Sequence, residues 1–253
     1  MTNTKVQTVE NNTQVALPAD LLAELAADAK ETSALERPSV STISLRVGVI
    51  NYAGEPVKGN VLPVVIVAAS HLNTYYVTAW DPDSVSPPTC FAISEDGKDM
   101  RPHANVVNPQ HATCEGCPQN EWGSAGGKSR GKACKETRRL VMLPAAALED
   151  AETVSKAEMA MVKLPVTSVP AWSNYVNSLS ATLGLPHYAV EGQMTTQPDA
   201  KTQFKVVLTP TRQIKDVEIL RAVMARREQA KAIAMLPFDA ATEDEAAPAA
   251  NKF

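Results

Sequence analysis

Histidine, cysteine and aromatic side chains are scarce in this chain: four histidines, four cysteines and 5% aromatics among 253 residues. The histidines His71, His103, His111 and His187 are scattered, and no Gly-x-Ser-x-Gly elbow offers a nucleophile. Gly126-Gly127-Lys128-Ser129 imitates the end of a phosphate loop, but the position that must be the first glycine is Trp122. A zinc deaminase needs a His-x-Glu beside its Cys-x-x-Cys, whereas His111 is followed by Ala112-Thr113. The expectation is a protein that is not an enzyme. No apolar run reaches the roughly 18 to 20 residues of a membrane span. Residues 1–12 are polar and lack the apolar centre of a signal peptide, so a non-secreted, cytoplasmic protein with no membrane partner is expected.

What little cysteine there is falls in one window, from Cys90 to Cys134. Cys114-Glu115-Gly116-Cys117 is a Cys-x-x-Cys turn, which presents two thiolates to one ion, and a tetrahedral zinc then needs two more ligands. Cys90 and Cys134 supply them, with His103 and His111 in reserve. Pro118 and the glycines Gly116, Gly123, Gly126, Gly127 and Gly131 suit a tight, non-helical knuckle. Four cysteines close the coordination sphere, so a single Zn2+ here is expected to be structural, since catalysis needs an open position. An iron-sulfur cluster uses the same thiolates. A thioredoxin-like pair and unligated thiols are the remaining readings, the former disfavoured because no clear buried strand precedes Cys114 and no obvious helix follows the pair.

The net charge of −4 is unevenly spread. Acidic residues outnumber basic ones in 1–37 and in 238–253, while residues 122–139 carry Lys128, Arg130, Lys132, Lys135, Arg138 and Arg139 against the single acid Glu136. Local density of one sign matters more to a polyanion than the global sum, although such a run also serves simply to keep a loop solvated.

Along the chain, residues 1–41 read as an arm and linker, with a short amphipathic helix carrying Leu21, Leu22 and Leu25. Alternation of Ile43, Leu45, Val47 and Val49 predicts a half-buried strand, followed by hairpin character over 51–60. The apolar run 61–69 and the β-formers of 74–80 predict further strands, with another at 139–143 after the metal insertion of about 87–138. The expected fold class is α+β: residues 42–144 an antiparallel OB-like barrel or sandwich with an inserted zinc knuckle, and residues 145–237 a smaller α+β segment. In that segment a helix runs from Ser168 to Gly184, strands 188–196 and 203–208 pair around Pro198-Asp199, and a helix opens at Asp216. Residues 238–253 read as a disordered acidic tail.

Strands, aromatics and a basic run together suit single-stranded nucleic acid, whose bases stack on rings for about 1 to 3 kcal/mol each while cations follow the backbone. Candidate contacts are Tyr52, Tyr76, Trp80, Trp122, Lys128, Arg130, Lys132, Lys135, Arg138 and Arg139. Tyr75 and Phe91 are expected in the core. Tyr76 and Trp80 share a strand parity opposite to Tyr75.

Cys114, Cys117, Pro118, Asn120, Trp122, Gly123, Ser124, Gly131, Lys132, Cys134 and Arg138-Arg139-Leu140 together resemble a family of bacteriophage and prophage proteins marked by Cys-x-x-Cys-Pro-x-Asn-x-Trp-Gly-Ser, and Pro88-Thr89-Cys90-Phe91 resembles its first cysteine. The plan is also remotely similar to the zinc-containing single-stranded-DNA-binding proteins of T4-type phages, where one histidine and three cysteines ligate and the Cys-x-x-Cys pair comes last. This resemblance implies a phage single-stranded-DNA-binding protein of replication or recombination in the host cytoplasm. It further implies self-association through the N-terminal arm and replication partners recruited by the acidic tail. The alternative expectation is a virion structural or assembly protein with the same structural zinc.

Overall fold

In the computed structural model, residues 18, 20–25, 27–28, 40–78, 86–127, 129–200 and 202–238 are described, and residues 1–39 and 40–253 form two compact units. In the first unit, residues 20–25 and 27–28 are helical and Leu21, Leu22 and Leu25 are exposed. Trp80, Lys128 and the tail from 239 onward lie outside the described residues.

The expected strand over Ile43–Val49 divides in two, because Val47 and Gly48 both take positive φ (51° and 78°). Two such residues make the tight turn whose twist suits a hairpin, and Gly48 is the residue that tolerates it. Strand β1 (Ser41–Arg46) therefore folds back onto β2 (Val49–Tyr52), and a second tight turn at Ala53-Gly54 leads to β3 (Glu55–Pro56). Strand β4 (Val61–Tyr75) runs fifteen residues with a register shift between Ile66 and Ala68. Next come β5 (Cys90–Ser94), the knuckle, and β6 (Lys135–Pro144). The remaining strands are β7 (Ala160–Leu164), β8 (Val190–Asp199) and β9 (Gln203–Gln213).

These form one mixed sheet in the order β3-β2-β1-β7-β6-β4-β8-β9, with β5 also on β4. The pair β1–β7 is parallel. The sheet runs across residue 144: β7, from the later segment, lies between β1 and β6. Composition changes at Ala145, but hydrogen bonding does not. The sheet curls into a half-barrel. Far from each other in strand order, the β1–β2 turn and β8 meet where Thr196 donates its hydroxyl to the Gly48 carbonyl and Asn60 donates its amide to the same oxygen (2.9 Å). Phe204 packs on Gly48, where an added Cβ would stand 3.3 Å from the Phe204 Cβ.

Curling gives the sheet an inner and an outer face, and β4 and β6 serve both by alternation. Val64, Ile66, Leu140 and Met142 point inward, with Ile43, Val162, Met194 and Val206. That core is closed by α2 (Val169–Leu183), which contributes Trp172, Tyr175 and Leu179 and ends at Gly184 in the left-handed conformation. Val65, Val67, Val141 and Leu143 point outward, against α1 (Ala151–Lys156), α3 (Val217–Ala225) and α4 (Arg227–Ala234). Full burial of each such side chain contributes about 1.5 to 3 kcal/mol. The helix expected from Asp216 forms with Asp216 as its cap, accepting from the N–H groups of Glu218 and Ile219 (2.9 and 3.0 Å). It breaks at Arg226, whose guanidinium donates to the carbonyls of Val154, Ser155 and Ala157 at the end of α1. Among the described residues no helix is long and apolar enough to cross a membrane.

Candidate metal centre and nucleic-acid interface

The far end of β4 assembles the cysteines. Tyr75 pairs with Cys90, the first residue of β5, and on the other edge Thr74 pairs with Lys135, immediately after Cys134. Two single cysteines are thus carried to one place by register alone. The segment between them folds back over this end: Cys114 N–H donates to the Met100 carbonyl (2.9 Å) and Cys134 N–H to the Gln119 carbonyl (2.7 Å). Gly116 takes φ 71°, which turns the Cys114–Cys117 pair. Asn120 donates its amide to the Cys114 carbonyl (3.2 Å) and its N–H to the Cys117 carbonyl (2.8 Å).

All four cysteines, together with Asn73, His111 and Asn120, line one cavity of about 20 Å³. None is in a disulfide. Such a volume holds roughly one water-sized body, room for a single ion. Burial, then the charges of the other three thiols, push Cys134 up to about 12. Cys90 and Cys114 are raised by burial first and by neighbouring thiols, against lowering contacts from the Gln110 backbone and the Asn73 side chain respectively. Thiols that suppress each other's ionisation are a donor set to which a dication is complementary. The Asn120 Oδ1 is also buried without a partner. Among the described residues, however, no three His, Cys, Asp or Glu side chains stand arranged to hold a metal ion. Of the reserve ligands, His111 reaches the cavity, whereas His103 stacks on Phe91 (5.1 Å between centroids) away from it.

The expected nucleic-acid residues divide. Trp122 is 80% exposed on the knuckle, with Lys132 Nζ 5.5 Å from its ring and Arg130 and Lys135 also on the surface. Lys132 is paired with Glu136 (3.0 Å). Arg138 and Arg139 do not continue this surface, because neighbours in β6 point to opposite faces. Arg139 is a correction: it is buried at 4% exposure and donates to the carbonyls of Ala234 and Leu236 at the end of α4. Its guanidinium also lies 4.8 Å from the Phe238 ring. A cation at a helix C-terminus is favoured by the dipole, so this arginine holds the helix down and is not free for phosphate. Arg138 turns into a separate cleft. Tyr52 is partly buried against the inner core and is a packing residue. Phe91, 2% exposed, is in the core as expected.

No family model, curated protein or solved structure matches the chain.

Tyr76 is 41% exposed and has a neighbour that the sequence reading missed. Lys163 of β7 places Nζ 5.9 Å from the Tyr76 ring, 6.0 Å from the Phe238 ring and 3.4 Å from Thr74 Oγ1. The residue as a whole is exposed, but its ammonium is enclosed, and burial followed by the Arg139 charge brings it down to about 8. Its signal in the sequence was a lone lysine inside the apolar strand Ala160–Leu164, on the same parity as Met161.

Proposed function

We propose that this chain is a non-enzymatic single-stranded-DNA-binding protein of phage type, with a knuckle stapled by one structural Zn2+ on Cys90, Cys114, Cys117 and Cys134. The observation that carries the reading is Trp122: a large apolar ring left 80% exposed, with Lys132 Nζ 5.5 Å away and the exposed Arg130 and Lys135 in the same segment, on a loop whose base is the four-cysteine cavity. An exposed indole among cations is costly to keep unless something stacks on it, and a base with its phosphates matches both features. The zinc supplies charge neutralisation and cross-linking of the loop; the chain's own residues do the binding. In this reading the half-barrel is OB-like in curvature, Tyr76 with Lys163 offers a second stacking position, and the N-terminal arm and acidic tail serve self-association and replication partners.

Anisotropy of a labelled oligothymidylate, titrated at several salt concentrations, tests it. Three phosphate contacts from Arg130, Lys132 and Lys135 give a log–log salt slope of about −2 on single strands. Trp122→Ala is expected to weaken binding by roughly 5- to 150-fold, the equivalent of one lost stack. Metal analysis is expected to find one zinc per chain. Absence of salt-dependent binding, or full affinity in the Trp122→Ala protein, refutes the reading.

A further inference from the structure

One edge of β4 is interrupted. β8 covers it over Val61–Val64 and β5 over His71–Tyr75, while β6 occupies the opposite edge; between them, residues 65–70 have no strand on that edge among the described residues. Against Val67, Ala68 and Ala69 there opens a cleft of about 240 Å³, bounded by the 187–189 turn, α4 and the end of β5. Protein interiors seldom leave such a space beside a sheet, and it exceeds the room of one water many times over.

Its lining is cationic. Arg138 comes from β6, and Arg227 and Lys231 stand one turn apart on α4, while Glu95 is the one acid in the lining. Lys231 reaches Glu95 only at 3.7 Å and is shared with Glu228 (3.0 Å). Neither guanidinium has a carboxylate partner among the described residues: Arg227 lies 4.2 Å from the Tyr188 ring, and Arg138 donates to the Thr137 carbonyl (2.8 Å). With the histidines neutral, the lining carries a net charge of +2 from these four groups. His71 and His187 are both lowered by burial first; Arg138 lowers His71 further against a raising Asp96, and Arg227 lowers His187 further against a raising contact with the Val67 backbone. The buried His187 Nε2 has no hydrogen-bond partner. Trp172 closes one side with an apolar wall, its ring 5.2 Å from that of His187.

We propose that this cleft binds a phosphate monoester, whose tetrahedral dianion is held by Arg138, Arg227 and Lys231 and whose organic part lies toward Trp172. Two guanidinium forks and an ammonium converging from β6 and α4 match a dianion with several acceptor oxygens better than a single carboxylate. The unpartnered His187 nitrogen offers one more contact. The monoester is either a free nucleotide or the phosphorylated end of a nucleic-acid strand. This inference does not rest on the knuckle's role, and Trp122 takes no part in it.

Calorimetry in low-salt zwitterionic buffer tests it with inorganic phosphate, a nucleoside 5′-monophosphate, and matched oligonucleotides bearing a 5′-phosphate or a 5′-hydroxyl. Saturable phosphate binding is expected, weakened at least about tenfold in Arg227→Gln and in Arg138→Gln and unchanged in Trp122→Ala. Tighter binding of the free nucleotide than of inorganic phosphate assigns a small-molecule ligand. A preference for the 5′-phosphorylated over the 5′-hydroxyl oligonucleotide, without gain for the free nucleotide, assigns a strand end. If either arginine variant fails to fold, a phosphate-dependent rise in the wild-type melting temperature, absent in Lys231→Gln, gives the same decision. No saturable binding and no melting shift with any of these probes overturns the proposal, as does wild-type affinity in both arginine variants. Oligonucleotide binding lost in Trp122→Ala and indifferent to the 5′-phosphate, together with no saturable binding of inorganic phosphate or of the nucleotide, leaves the knuckle reading standing and refutes this one.

Discussion

Replacing His187 with Gln should flatten the acid limb of the stability curve. Burial, with the nearby Arg227 charge, brings His187 from 6.5 down to about 4, against a raising contact with the Val67 backbone. The unfolded chain therefore takes up a proton near pH 6.5 that the folded chain refuses until near pH 4. Stability supplied by the neutral ring is complete above about 6.5 and is lost as the pH falls towards 4. The full gap of about 2.5 units corresponds to roughly 3 kcal/mol, of which about 2 kcal/mol is already lost at pH 5. Gln cannot titrate but keeps an N–H for the Val67 carbonyl. Urea unfolding of both proteins at about pH 7.5 and pH 5, in phosphate-free buffer, isolates the effect. Losses from His71, from the carboxylates and from the cysteine cluster are carried equally by both proteins and cancel. The wild type is expected to lose about 2 kcal/mol more than the variant over that interval. Parallel losses, within about 0.5 kcal/mol, refute the assignment of a buried neutral His187.

Two further substitutions test the packing. Arg139→Met leaves the Leu236 carbonyl without its donor, while Ala234 keeps the Ser70 hydroxyl (2.8 Å), and is expected to cost about 1 to 3 kcal/mol in thermal unfolding. Because Arg139 is buried, the folded variant should retain its oligonucleotide affinity; a loss of affinity with unchanged stability would return Arg139 to the binding surface. Asp216→Ala removes the acceptor for two N–H groups at the start of α3 and should cost about 1 kcal/mol, with Asp216→Asn close to wild type. Equal destabilisation by Ala and Asn would mean that charge, not the cap, is what matters there.

Local signals in the sequence were readable where the chemistry is local. Gly184 after the apolar stripe of α2 and Asp216 before that of α3 mark the ends of elements that form, and β8 and β9 pair, although Pro198 and Asp199, where the turn was expected, still lie in the ladder opposite Phe204 and Gln203. The two-residue turn at Val47-Gly48 was hidden because Val47 continues the apolar alternation while standing 86% exposed in the turn. Sheet order was not legible at all. Nothing near β1 indicates that its parallel partner is Ala160–Leu164, since that pairing is chosen by the shared inner core. For the candidate site, the window Cys90–Cys134 was legible because the thiols are few and close. The basic run misled by treating consecutive residues as one surface: a strand sends Arg138 and Arg139 to opposite sides, and only the register of β6 shows where each ends.

The position of β7 also constrains how the chain can be made. During synthesis β1 and its hairpin partner β2 emerge more than a hundred residues before β7, the strand that joins β1 to β6. Until then the nascent chain carries the long apolar β4 and four reduced thiols with neither edge of the sheet complete. Non-local pairing of this kind slows folding and leaves strand edges open to other chains. Phe238, packed against Phe91 beside the first cysteine and accepting the amide of Asn105, adds a clasp that exists only once residue 238 has left the ribosome. The knuckle is therefore secured only about a hundred residues after its last cysteine has been made.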